Sequence, residues 1–166
     1  MAHGNSLAFT IKHNGICRVI KTGLTVISDK SKQNITAVWD TGATGTCISK
    51  DVASKMGLVP IGMCHSHTAS GESICSEYLV DLELPNHVII KDVRVRDFIG
   101  GPDVEALIGM DIITMGDFAI TNANQKTTVS FRMPSDYRHI DYVLAQKNNT
   151  NGKLAKEHIK KQQPAE

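Results

Sequence analysis

At 166 residues, 41% hydrophobic and 21% charged, the chain is long enough for one globular domain with a true core and too short for two of ordinary size, which excludes a large multidomain enzyme. Its net charge of +1, from 18 Lys plus Arg against 17 Asp plus Glu, supplies no broad field for gripping nucleic acid or an anionic membrane. Apolar stretches such as Val88-Ile89-Ile90 and Ala106-Leu107-Ile108 stop far short of the roughly 20 residues a membrane-spanning helix needs.

Residues 1–6, Met1-Ala2-His3-Gly4-Asn5-Ser6, carry neither the basic start nor the apolar centre of a secretory leader, and are read as the flexible N-terminus of a cytoplasmic protein. Over residues 7–134, short apolar or alternating runs broken by turn residues predict an all-β domain. Leu7–Ile11 and Ile16–Ile20 flank His13-Asn14-Gly15, where Asn-Gly predicts a tight hairpin. Leu24–Ile27 follows as a strand and Ser28–Asn34 as a polar loop. Ile35–Trp39, β-branched and aromatic, then delivers the chain into Asp40-Thr41-Gly42. Cys47-Ile48 is strand-like, and Lys50–Met56 is a short helix capped by Ser49 and stopped by Gly57. Tyr78–Leu84 alternates, ends at Pro85-Asn86 and pairs as a hairpin with Val88–Ile90. Met110–Met115 suits one or two helical turns, and strands at Phe118–Thr121 and Thr127–Phe131 bracket the loop Asn122–Lys126. Residues 135–166 read as a polar extension, partly helical or disordered. In it Ile140, Tyr142, Val143 and Leu144 suit a short helix, 148–152 a linker, and the lysines from Lys147 to Lys161 a solvated tail. Cys17, Cys47, Cys64 and Cys75, without repeated close spacing, are read as reduced thiols.

Asp40-Thr41-Gly42-Ala43-Thr44 sets a carboxylate at a strand end, then a hydroxyl, then a residue that permits close backbone approach. By average composition an Asp-Thr/Ser-Gly triplet arises by chance in roughly one chain in ten of this length, so its surroundings must decide its meaning. Ala37-Val38-Trp39 precedes it, and Ala106-Leu107-Ile108-Gly109-Met110-Asp111 stands well downstream. With these elements in order, the chain from about Asn34 to Pro134 resembles the retropepsin-like aspartic proteases. The resemblance implies a closed β-barrel with a flap hairpin and one or two short helices, in a homodimer. It implies Asp40 as the catalytic residue, with Thr41, Gly42 and Ala43 as active-site support and Leu107, Ile108 and Gly109 passing beneath. His67–Ser73 falls where the flap should be, with Ser70 and Gly71 at its tip.

Such chemistry takes two carboxylates sharing one proton, one acting as base on a water and one as acid toward the scissile carbonyl; no metal or other cofactor takes part. Only one Asp-Thr/Ser-Gly is present, and Asp103, Asp111, Asp117, Asp136 and Asp141 lack the triplet. The expected enzyme is therefore a symmetric dimer acting on a peptide or protein, each protomer giving one Asp40, with neither nucleic acid nor membrane as partner. Retroviral members often carry Arg after the downstream glycine; here Met110 and Asp111 follow, so the dimer contacts should differ and Asp111 is read as capping the short helix. Three other readings compete. Cys64-His65-Ser66-His67 with Cys75, joined by His3, His13 and Cys17, could bind zinc, though at no established spacing. Cys47 could serve as a nucleophile. The same dimer could bind peptides or assemble complexes without cutting them.

Overall fold

The computed structural model describes residues 7–68, 71–101, 103–136 and 138–149. The expected flexible start at 1–6, Ser70 of the expected flap, and the linker and tail from residue 150 onward lie outside the described residues. The chain divides into two compact units, one ending at Asp136 and one beginning at Tyr137.

The first unit runs through β1 (Ala8–Lys12), β2 (Lys21–Ile27), β3 (Lys32–Trp39), β4 (Cys47–Ser49), α1 (Lys50–Lys55), β5 (Gly62–Thr68), β6 (Gly71–Glu83), β7 (Ile89–Phe98), β8 (Ala106–Ile108), α2 (Met110–Ile113), β9 (Asp117–Thr121) and β10 (Thr128–Arg132). The class is all-β with two short helices, as the sequence predicts. Six strands form a ring in the order β2-β3-β8-β4-β7-β6, closed by β6 returning to β2 through Thr25↔Glu83, Val26↔Leu82 and Ile27↔Asp81. The β3–β8 and β4–β7 pairs are parallel, and the other pairs in the ring are antiparallel. Alternation sets the interior: β2 turns Thr22, Leu24 and Val26 inward, β3 turns Ile35, Ala37 and Trp39, and all six are buried. Ser49 caps α1 by accepting the Val52 N–H at 3.2 Å, and Gly57 leaves the helix at φ +62°.

The expected hairpin across Asn14-Gly15 does not form. β1 pairs instead with β10, placing Phe9 opposite Phe131 and Ile11 opposite Val129 in a three-stranded sheet of order β1-β10-β9. Burial decides between the two partners: Phe131 and Val129 are sealed in the core, whereas Ile16 and Val19 are more than half exposed and give β1 little to pack on. The Asn-Gly corner carries the chain past the end of β10, where Gly15 O accepts the Thr127 N–H at 3.0 Å.

Other elements run longer than the local pattern suggests. The predicted Ser28–Asn34 loop shrinks to a turn in which the Ser28 N–H reaches Ser31 O at 2.8 Å, and β3 starts at Lys32. β7 continues to Phe98, since Val93, Val95 and Asp97 alternate inward after a register shift between Val80 and Leu82 on β6. In the second unit residues 142–149 are helical, so Asn148 and Asn149 belong to helix rather than linker. Asp141 starts this helix by accepting the Leu144 N–H at 2.9 Å, and Tyr142, Val143 and Leu144 are exposed. No helix among the described residues is long and apolar enough to cross a membrane.

Candidate active site

Trp39 ends β3, and its packing fixes the residue that follows. Its indole N–H donates to Thr22 Oγ1 at 3.0 Å, and its ring stacks on Phe118 with centroids 5.1 Å apart and planes 5° from parallel. Phe131 and Phe9 meet the same ring at 4.9 and 6.0 Å. This aromatic cluster joins the three-stranded sheet to the barrel, so β3 has little freedom to shift. The Asp40 N–H donates to Ile108 O at 2.9 Å, carrying the β3–β8 ladder one residue past Trp39↔Ile108. Asp40 thus leaves the sheet on a backbone held from both sides.

The Asp40 side chain is partly buried, and its Oδ1 accepts the Gly42 N–H at 2.8 Å. A Cβ on Gly42 would stand 3.2 Å from that oxygen, tighter than ordinary contact, so glycine is what allows the amide to close on the carboxylate. Ala43 N–H returns to Asp40 O at 3.2 Å and completes a compact turn. Oδ2 has no hydrogen-bond partner among the described residues. Thr41 is exposed, and its hydroxyl likewise has no partner there.

Gly109 packs directly on this loop. A Cβ there would lie 2.5 and 2.7 Å from the Gly45 carbonyl and 3.0 Å from Ala43 O, separations that only glycine avoids. Its neighbour Met110 donates its N–H to Ala43 O at 2.8 Å. Leu107 is half-buried and Ile108 fully buried on the strand that feeds this crossing. The structure therefore brings Asp40, Thr41, Gly42, Ala43, Leu107, Ile108 and Gly109 into one assembly.

Asp111 does more than cap. Gly109 is the N-cap of α2, with Asp111 inside the first turn, where its Oδ1 accepts the Ile112 N–H at 2.9 Å. The same carboxylate accepts the Thr46 N–H at 2.9 Å and the Thr46 hydroxyl at 2.7 Å, and Thr46 Oγ1 in turn accepts the Gly109 N–H at 3.1 Å. Buried Thr46, which sequence reasoning passed over, is thus the pin between the Asp40 loop and the β8–α2 corner. A threonine four residues after a Thr-Gly pair carries no signal by itself.

Gly71 opens β6 at φ +120°, opposite Thr68 in the β5–β6 hairpin. Only glycine adopts that backbone readily, so its place at the tip has a local cause. Cys47 does not have the environment of a nucleophile: burial pushes its thiol up from the ordinary range, and its Sγ lies 3.5 Å from Gly45 O. Among the described residues no three His, Cys, Asp or Glu side chains converge as metal ligands. An open cavity of about 700 Å³, lined by Ile27, Asp29, Leu58, Ile61, Leu79 and Asp92 among others, includes none of Asp40, Thr41 or Gly42.

The family model described as aspartyl protease matches residues 25–112, just over half of the chain. No curated protein sequence matches. Among solved structures, the chain is similar to a retropepsin-like aspartic protease from Rickettsia conorii at 14% identity and TM-score 0.49, over 80% of this chain and 99% of that one. It is similar to the Simian Foamy Virus (mac) protease at 22% identity and TM-score 0.37, over 55% of this chain and 91% of that one. The retroviral protease-like domain of Ddi1 from Leishmania major aligns at 14% identity and TM-score 0.37, over 63% and 90% respectively.

Proposed function

Because the chain belongs to the aspartyl protease family, we propose that it is an endopeptidase that cuts peptide bonds with carboxylate-activated water, using Asp40 from each protomer of a symmetric dimer. The observation that carries this reading is the state of the Asp40 carboxylate. One oxygen is tied to the Gly42 amide at 2.8 Å, the other has no partner among the described residues, and the backbone beneath is locked to β8. A side chain oriented in this way can hold a water or face a second carboxylate without reorganising.

Two such groups brought together by a two-fold axis cannot both ionise comfortably, so they share a proton. The ionised member removes a proton from water as it attacks the scissile carbonyl carbon. The protonated member hydrogen-bonds to the carbonyl oxygen, and proton transfer to the departing nitrogen releases the amine. Gly42 holds the carboxylate, and the exposed Thr41 hydroxyl, without a partner among the described residues, is the group proposed to bond across the dimer axis. The β5–β6 hairpin is the cover over the bound peptide.

The test is incubation of the purified chain with a diverse unstructured peptide library, with the cut ends read by mass spectrometry and the association state read by sedimentation. Asp40→Asn keeps the shape and removes the ionising group; it should lower cleavage roughly 10²–10⁴-fold or more while the dimer persists. Equal cleavage by parent and variant would remove Asp40 from the mechanism. A dimer that binds peptides and cuts none would establish the non-cleaving binding module instead.

A further inference from the structure

The β5–β6 hairpin carries a feature that proteolysis does not use. Cys64 and Cys75 stand directly opposite in the antiparallel register, and their Sγ atoms lie 2.9 Å apart. Both are free thiols; Cys75 is buried and Cys64 partly exposed. Opposed residues in an antiparallel pair have Cα atoms about 4.5–5.5 Å apart, inside the roughly 4.4–6.8 Å window for a disulfide. Little backbone movement is therefore needed to join them. β5 is also the outermost strand of its sheet, with β6 as its neighbour among the described strands, so a covalent link here would fasten a strand that lies outside the closed ring.

We propose that Cys64 and Cys75 form a dithiol site for reversible oxidation by low-molecular-weight disulfides, closing into a cross-strand disulfide that locks β5 to β6. Cys64, the more accessible thiol, loses its proton and attacks one sulfur of the small disulfide, giving a mixed disulfide and expelling one small thiolate. Cys75 then loses its proton and attacks the Cys64 sulfur, expelling the second thiolate. The two protein protons end on the two released thiols, the small disulfide is reduced, and the dithiol is oxidised. The Sγ separation makes the second step effectively intramolecular, so the mixed disulfide does not accumulate.

Burial, then the hydrogen bond with Cys75, pushes the Cys64 thiol up to about 11. Arg96 opposes this shift, while Glu77 and the Cys75 sulfur add to it. Since the thiolate is the attacking species, closure is slow near neutral pH and accelerates about tenfold per unit as pH rises below that value.

Mass spectrometry of the whole chain after treatment with excess oxidised glutathione tests the proposal. The expected product has lost two hydrogen atoms, yields a single peptide pair linked through Cys64 and Cys75 on non-reducing digestion, and reverts with dithiothreitol. Cys75→Ser should instead retain glutathione on Cys64, and Cys64→Ser should leave the buried Cys75 thiol unmodified. A Cys17→Ser/Cys47→Ser chain should close as the parent does. Stable glutathione on both sulfurs of the parent, linkage to Cys17 or Cys47, or no reaction up to high pH would overturn it. None of these readouts depends on peptide cleavage, so failure here leaves the protease reading intact, and failure of the protease reading leaves the dithiol intact.

Discussion

Besides its backbone bonds, the Asp40 loop is tied to the β8–α2 corner through one buried hydroxyl. Thr46 Oγ1 donates to Asp111 and accepts from Gly109, and no water is needed to complete either bond. Thr46→Val keeps the volume and removes both bonds, leaving the buried Gly109 N–H without its partner and Asp111 Oδ1 with the Ile112 N–H alone. The expected cost is about 1–3 kcal/mol, read as a lower urea midpoint, with cleavage falling more than the stability loss explains because Asp40 loses its support. An unchanged midpoint would show that the loop is held by backbone contacts alone. Asp40 itself was legible in the sequence because its motif is contiguous: strand, carboxylate, hydroxyl and glycine in consecutive positions. The Thr46–Asp111 pair was not, since 65 residues separate the partners and each has an ordinary local role, one in a loop and one at a helix start.

Among the elements, the β9–β10 hairpin shows how charge sets an edge that apolar pattern alone leaves open. Asp117, first in β9, accepts the Ser135 hydroxyl at 2.6 Å and Arg132 Nε at 2.7 Å, and the Asp136 N–H reaches it at 3.2 Å. These contacts, the Ser135 hydroxyl foremost and then Arg132, hold its carboxyl below the ordinary 3.8. A carboxyl depressed in the folded state contributes stability that is fully present above its unfolded value and fades as pH falls through the folded one. The melting-temperature difference between the parent and Asp117→Asn should therefore be constant at neutral pH and shrink below about pH 4. A difference that stays constant through pH 3 would mean that Asp117 acts by shape alone. Strand existence in this region followed from alternation, and Phe118–Thr121 and Thr127–Phe131 were readable almost to the residue. The partner of β1 was not readable, because Asn14-Gly15 is a sound local hairpin signal that loses to a distant competitor. Pairing with β10 seals Val129 and Phe131, and no pairing with 16–20 offers comparable burial.

For the molecule as a whole, the decisive event is closure of the ring between β6 and β2, and Leu82 sits on that seam. It pairs with Val26 on one side and Ile90 on the other, just past the register shift in β6, and it is fully buried. The alternation of Tyr78–Leu84 announced a strand, but nothing local could show that it serves two neighbours, one of them more than fifty residues earlier, or that β7 sets Lys91 and Asp92 against the single residue Asp81. The seam also carries an ion pair, Lys32 Nζ to Glu83 Oε2 at 2.6 Å, with the lysine largely exposed. Exposed pairs of this kind lose in side-chain entropy and screening most of what Coulomb attraction gives them. Buried apolar contact should therefore dominate. Leu82→Ala, which leaves a cavity where two ladders meet, is expected to cost about 2–5 kcal/mol in urea unfolding with an unchanged slope, while Lys32→Ala should leave the midpoint nearly where it was. Comparable shifts from the two substitutions would mean that the ring is closed by charge. A lower slope for Leu82→Ala alone would mean that the barrel opens at this seam before the rest unfolds.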